Sequence, residues 1–227
     1  MDHGYPTSAC GHSLDSDYRY AARHRLGLHP QHDLPPKCVC GESLRDDPAH
    51  FHSCPRLMPR AITARHDALV QVLASMFKRA GAMVSIEVKC DGETRVRPDL
   101  EFVLPDRSLL VDVAVVHPAA PSRRSHTALA AARDIENVKA AKYRSVASER
   151  GANFLGFIAE SYGALGNQAV EVLKLLNNTL NQAPARPFEL SERAVAETLS
   201  VALQRGNAFI SHTGSLTARA HAILGHG

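Results

Sequence analysis

Tryptophan is absent from this 227-residue sequence, and only 5% of its residues are aromatic. That scarcity argues against a stacking platform for single-stranded nucleic acid. No run of about 18 apolar residues occurs, so no membrane span is expected. The opening MDHGYPTSACGHS has neither the basic nor the apolar region of a secretory leader. Charge of one sign is scarce as well: 26 Lys and Arg stand against 23 Asp and Glu, a net charge of only +3. No global polycation announces nucleic acid, although 13 His could add charge in mild acid. The five Cys are odd in number and unevenly spread. Thiols used for metal or packing in a reducing compartment fit better than a disulfide framework.

What remains is enough chain to bury a core as one domain with appendages. Residues 1–17 read as a polar, disordered tail, and Asp17 to Leu28 as a short basic helix. Residues 29–56 are rich in Pro, His and Cys and need something other than a core to hold them. From Pro59 to Ala80 the apolar residues Ile62, Leu69, Leu73, Met76 and Phe77 keep helical spacing. Three strand-like runs follow: MVSIEVKC, the segment from Arg97, and SLLVDVAVV. The linker HPAAPSRRS leads to a second long helix, about His126 to Arg150. NFLGFIAES reads as a strand, QAVEVLKLLNNTL as an amphipathic helix, and ELSERAVAETLSVALQRGNAFI as a closing helix ending near Gly206. The order helix, three strands, helix, strand predicts an α/β fold with a mixed sheet flanked by helices. The expected division is 1–17 tail, 18–56 basic helix and knuckle, 57–165 core, and 166–227 helical extension.

The chemistry concentrates in RPDLEFVLPDRSLLVDVAVV, Arg97 to Val116, two strands joined by a Pro105-Asp106-Arg107 turn. Asp99 and Asp112, one on each strand, stand where a plain sheet prefers a neutral residue. Alternation puts Asp112 and Ala114 on one face, and likewise Arg97, Asp99 and Glu101. Folded as a hairpin, Asp99 and Asp112 converge. Two carboxylates beside an apolar core can hold Mg²⁺ or Mn²⁺ against a phosphodiester.

On the second long helix Ala128, Ala131, Ile135, Val138 and Val146 form an apolar arc at about 100° per residue. Lys139 and Lys142 fall inside it, with Tyr143 at its edge. A Lys facing the sheet needs a partner, and the two aspartates supply one. Such a Lys would orient or activate the attacking water. The bland alternative is a Lys that snorkels over apolar surface.

Upstream, Cys38, Cys40, His50 and Cys54 form C-x-C-x9-H-x3-C, a sufficient tetrahedral Zn²⁺ set. The C-x-C opening is tighter than usual, so free thiols in a loop are the competing reading. His52 is an alternative ligand. Cys90 reads as a packed thiol and Cys10 as part of the tail.

Taken in order, KCVCG, HFHSC, ARHDALV, RPDLEFVLPDRSLLVDVAVV and ENVKAAKY resemble the C-terminal part of site-specific non-LTR retrotransposon polyproteins. There a zinc knuckle precedes a restriction-enzyme-like endonuclease of the PD-(D/E)xK superfamily. The resemblance spans roughly Tyr18 to Ile210. It implies a restriction-endonuclease-like core in which Asp99 is the Asp of the Pro-Asp pair and Asp112 the second acid. Ala114 stands where many superfamily members place a Lys. In this group the Lys lies on the following helix in a K-x-x-x-Y arrangement, which Lys139 and Tyr143 match, with Lys142 as fallback. The Arg65-His66 pair has a counterpart in the group and implies phosphate contact or support of the site; a satisfied core His is equally admissible. Arg97 joins them as a candidate nucleic-acid contact.

The implied activity is Mg²⁺-dependent nicking of a target DNA duplex, which primes reverse transcription of element RNA in the nucleus. No paired-Asp polymerase motif is present, so the chain reads as a separate reading frame, a fragment or a decayed copy. A catalytically silent nucleic-acid-binding module and a junction or repair nuclease of the same superfamily are the alternatives. Glu87, Glu160, Arg123, Arg124 and Arg133 are weaker candidates for site or phosphate roles, with solvated surface or strand-end positions preferred.

Overall fold

The computed structural model describes residues 14–28, 34–57, 59–88, 96–120, 127–182 and 191–225. The chain divides into two compact units, one of residues 63–203 and one of residues 1–62 with 204–227. The elements are α1 (Leu14–Arg25), α2 (Pro59–Arg79), β1 (Met83–Ile86), β2 (Leu100–Val103), β3 (Ser108–Val116), α3 (Ala130–Glu149), β4 (Asn153–Glu160), α4 (Asn167–Gln182) and α5 (Glu192–Ile223). The class is mixed α/β, as the order of elements predicts.

In the larger unit one sheet runs β1-β2-β3-β4. The first three strands are antiparallel, and β4 lies parallel to β3. Antiparallel neighbours need only a tight turn, whereas the parallel pair needs a long crossover, which α3 provides. The Pro105-Asp106-Arg107 turn forms as the sequence predicts, with the Leu104 N–H donating to the Arg107 carbonyl at 2.8 Å.

Alternation along β3 divides the sheet into two differently covered faces. Leu109, Val111 and Val113 join Leu100, Phe102 and Phe157 in the main core against α2, α4 and the start of α5. Phe77 stacks on Phe102 with ring centroids 3.8 Å apart. The other face carries Leu110, Ala114 and Val116, packed with Ala131, Ala132, Val146 and Ala147 of α3. Asp112 lies on this second face, so among the described residues α3 is the helix placed to answer its charge.

The inward arc of α3 differs from the one expected. Ala132, Glu136, Tyr143, Val146 and Ala147 are buried, while Val138 is 63% exposed and Ala128 is exposed too. Apolar residues alone misplace the arc because Glu136 has a partner: its carboxylate accepts the backbone N–H of Gln168 at 2.8 Å, at the start of α4. A carboxylate against a helix N-terminus is favourably placed.

Two boundaries also move. The segment expected to be tail is helical from Leu14, and α5 runs on past Gly206 to Ile223. A glycine inside a helix costs only about 1 kcal/mol, which burial outweighs. The expected C-terminal extension is divided: Val195, Leu199 and Leu203 belong to the sheet's core, whereas Ile210 and Ala218 pack with Leu44, Phe51 and Leu57. Gly214 is needed there, because a Cβ would lie 2.6 Å from the Phe51 ring. Gly214→Ala should destabilise the smaller unit by on the order of 1–3 kcal/mol, read as a lowered urea midpoint.

Candidate metal centres and acidic site

The smaller unit holds the Cys/His group. A hairpin closes through Cys38 N–H to the Glu42 carbonyl at 2.9 Å and Leu44 N–H to the Pro36 carbonyl at 3.0 Å, with Gly41 at φ 95° making the turn. The turn aims Cys38 and Cys40 toward the 3₁₀ turn His50–His52 and Cys54. The ligand atoms of Cys38, Cys40, His50 and Cys54 all lie within 4.8 Å of one another. Cys38 Sγ is 3.5 Å from Cys54 Sγ, and Cys40 Sγ is 3.0 Å from His50 Nε2.

Four such atoms around Zn²⁺, with Zn–S about 2.3 Å and Zn–N about 2.0 Å, make a tetrahedron with edges of roughly 3.5–3.8 Å. The group fits, and could bind a metal such as zinc. Burial, with Cys54 close by, pushes the Cys38 thiol up to about 12. A bound cation is what would hold the thiolate form. Asp47 supports the His, its carboxylate 3.9 Å from Nδ1, which leaves Nε2 for the metal. His52, the alternative ligand, points elsewhere, with its Nε2 2.8 Å from the Tyr20 hydroxyl. Cys10 and Cys90 lie outside the described residues.

The acidic site belongs to the larger unit. Register Leu100↔Val111, continued by one residue, sets Asp99 across from Asp112. The backbone before β2 is pinned from β1: Glu87, left-handed at φ 53°, donates its N–H to the Asp99 carbonyl at 2.8 Å, and Val88 to Pro98 at 3.1 Å. The Glu87 side chain itself is exposed. Asp112 is 4% exposed, and its two oxygens contact the Lys139 ammonium and the Tyr143 hydroxyl. The same hydroxyl is 3.0 Å from the Arg97 carbonyl oxygen, and the Tyr143 ring stacks on Phe154. Of the two lysines, Lys139 meets the carboxylate. Lys142 is exposed, with Nζ 3.3 Å from the Tyr143 hydroxyl and 4.8 Å from its ring centre.

Asp99 is held by two donors on one oxygen. Oδ2 accepts the Val113 N–H at 2.7 Å and sits 3.0 Å from His66 Nε2, while His66 Nδ1 lies 3.0 Å from the Asp67 carboxylate. Asp67 was not a candidate on sequence; its only signal is adjacency to His66. Lying between Asp99 and Asp67, His66 has its proton affinity raised to about 9.

That shift gives a pH dependence. The unfolded imidazole titrates near 6.5, so the stabilisation from His66 is fully present below that pH. It is lost as pH rises through about 9. An NMR titration of the ring should show the high value in the native chain and a fall toward 6.5 in Asp99→Asn.

The remaining candidates separate. Arg65 is 4% exposed, so direct contact with a phosphate does not fit its burial, whereas Arg97 is exposed. Arg133 is exposed on α3, and Arg123 and Arg124 lie outside the described residues. Glu160 ends β4 on the α3 face; burial raises its pKa, with the Ala132 backbone N–H opposing. Among the described residues, the Cys/His quartet is the one group of three or more metal-ligating side chains, so the acidic site offers two carboxylates only. No described helix is long and apolar enough to cross a membrane. No protein-family model matches the chain, and no curated protein matches it.

Proposed function

We propose that the chain is a metal-dependent phosphodiesterase. More particularly, it is a restriction-endonuclease-like module that nicks duplex DNA in the manner of the retrotransposon endonucleases its motifs resemble, preceded in the sequence by a Zn²⁺ knuckle. The observation that carries the reading is the convergence of Asp99, Asp112, Lys139 and Tyr143 on one face of the sheet, from three separate elements. The donor set fits a hard divalent cation, because both acids offer oxygen. Asp99 keeps Oδ1 apart from the two contacts on Oδ2.

Asp99 and Asp112 would hold Mg²⁺ or Mn²⁺, which would supply Lewis acidity and offset charge on the leaving 3′ oxygen. Lys139 orients the attacking water and offsets phosphate charge. Tyr143 fixes the Asp112 carboxylate, and Arg97 contacts the backbone of the duplex. Hydrolysis leaves a 3′-hydroxyl suited to priming synthesis on an element RNA; the nucleus as its setting rests on the retrotransposon resemblance alone.

A second reading, a silent nucleic-acid-binding module, draws on Asp112 having both oxygens engaged by Lys139 and Tyr143. Linear, branched and single-stranded DNA, each incubated with Mg²⁺, separates the readings. Divalent-dependent nicking of duplex supports the endonuclease, branch-selective cutting a junction nuclease, and salt-sensitive binding without cleavage the silent module.

A further inference from the structure

Lys139 and Tyr143 hold α3 to the sheet through Asp112, yet those contacts are the ones a reaction at the site must loosen. A second anchor lies outside the site, at Glu136. Its carboxylate is 3% exposed and accepts the Gln168 N–H at 2.8 Å. That donor belongs to the first turn of α4, where no intrahelical carbonyl can serve it. Gln168 in turn reaches the end of the sheet: its Oε1 accepts the Gly156 N–H at 2.7 Å, and Gly156 stands in register with Asp112. Gly166 leaves room for this arrangement. A Cβ there would run into the Glu136 carboxylate, and the Gly166 N–H is committed to the Ile158 carbonyl at 2.8 Å. Glu136 and Tyr143 are seven residues apart, which puts them within about 20° of one helical face, with Lys139 between them.

We propose that Glu136 is a positioning residue for the acidic site. Its reach to Gln168 fixes the rotation and height of α3 over β3, and so where Lys139 and Tyr143 stand against Asp112. The effect on rate rests on the endonuclease reading, whereas the placement of α3 does not. Reach is the operative property, not charge. A carboxamide at position 136 presents an acceptor oxygen as far from the backbone as the carboxylate does, while an Asp keeps the charge and falls one methylene short. A carboxylate that merely caps α4 would change stability and leave the site as it is.

Four variants of the full chain separate these roles: Glu136→Gln, Glu136→Asp, Glu136→Ala and Gly166→Ala. The last displaces the same carboxylate from the side of α4, at a glycine with no left-handed backbone to strain. Nuclear Overhauser effects between the rings of Tyr143 and Phe154, whose centroids are 4.8 Å apart, read the placement of α3. Nicking of duplex with Mg²⁺ reads the chemistry, at a temperature where circular dichroism shows each variant folded. Glu136→Gln should keep the ring contacts and the wild-type kcat. The other three should weaken the ring contacts and lower kcat by about a hundredfold, the scale of a displacement of about 1 Å, with KM within about twofold. The double variant Glu136→Ala, Gly166→Ala should be no slower than the slower single, because both act through one bond. Should Glu136→Ala fail to fold, Glu136→Asp and Gly166→Ala decide.

Ring contacts and kcat that survive Glu136→Asp and Gly166→Ala, with only the thermal midpoint lowered, reduce Glu136 to a cap and overturn the proposal. So does loss in Glu136→Gln with Glu136→Asp intact, which assigns the role to charge. A wild-type chain that never nicks sinks the endonuclease reading alone, since the ring contacts still decide the placement of α3.

Discussion

Asp112→Asn is expected to reduce Mg²⁺-dependent nicking of duplex DNA by about a thousandfold or more, equivalent to ~4 kcal/mol of transition-state stabilisation. The substitution keeps the shape of the side chain and an oxygen to accept the Tyr143 hydroxyl, but removes the charge that a cation requires. Its structural cost is contained. The Lys139 side chain is 20% exposed and can turn its ammonium to water when the carboxylate is gone. Asp112→Ala is a poorer test of chemistry, because it also empties the volume of a buried side chain and removes one of the two acceptors of the Tyr143 hydroxyl. Asp99→Asn should fall as far, while its fold is held by the same β2–β3 pairing. Matched circular dichroism spectra would certify the folds, and single-turnover nicking would measure the loss. Wild-type rates from both variants would remove the two aspartates from the chemistry.

The second large effect is expected at the Cys38, Cys40, His50 and Cys54 group, which could bind a metal such as zinc. Chelation should unfold the segment Leu34 to Leu57, because little besides the quartet and a small cluster around Leu44, Phe51 and Leu57 orders it. Structural zinc binding contributes apparent free energies on the order of 10 kcal/mol, more than so small a core supplies alone. Chelation should collapse the amide resonances of residues 34–57 to unfolded shifts, and leave those of β2 and β3 in place, since their core is separate. Cys54→Ser should behave like the chelated chain. His52→Ala should not, since it loses the Tyr20 contact but no ligand. Resonances indifferent to chelator would show that packing alone holds the segment.

Much of the site is legible in the sequence because a hairpin is a local structure. Once the Pro105-Asp106-Arg107 turn is placed, alternation fixes which residues face which way, and Asp99 and Asp112 follow. Choosing between Lys139 and Lys142 is harder, because both fall near the inward arc and one residue in register decides. Tyr143, assigned to the edge of that arc, lies at its centre. The error has one source. A hydrophobic pattern scores Val138 as buried and Glu136 as exposed, whereas a helix N-terminus across the fold reverses both. The His66–Asp99 pair is invisible for another reason: 33 positions separate the partners, and no local rule joins them. The run of α5 through Gly206 and Gly214 is hidden likewise, since a glycine reads as a stop; at Gly214 the reason for it appears only with the Phe51 ring in place.

One hydroxyl carries a consequence for both acids. Tyr143 has a single proton and two acceptors within reach, Asp112 Oδ1 and the Arg97 carbonyl. It can serve only one of them at a time. While Asp112 is ionised and uncoordinated, the proton belongs there. Were a cation to take that oxygen, the Arg97 carbonyl would remain to accept the proton, on the stretch of backbone leading into Pro98 and Asp99. Rotation about one C–O bond would then link the second acid of the site to the backbone that leads into the first.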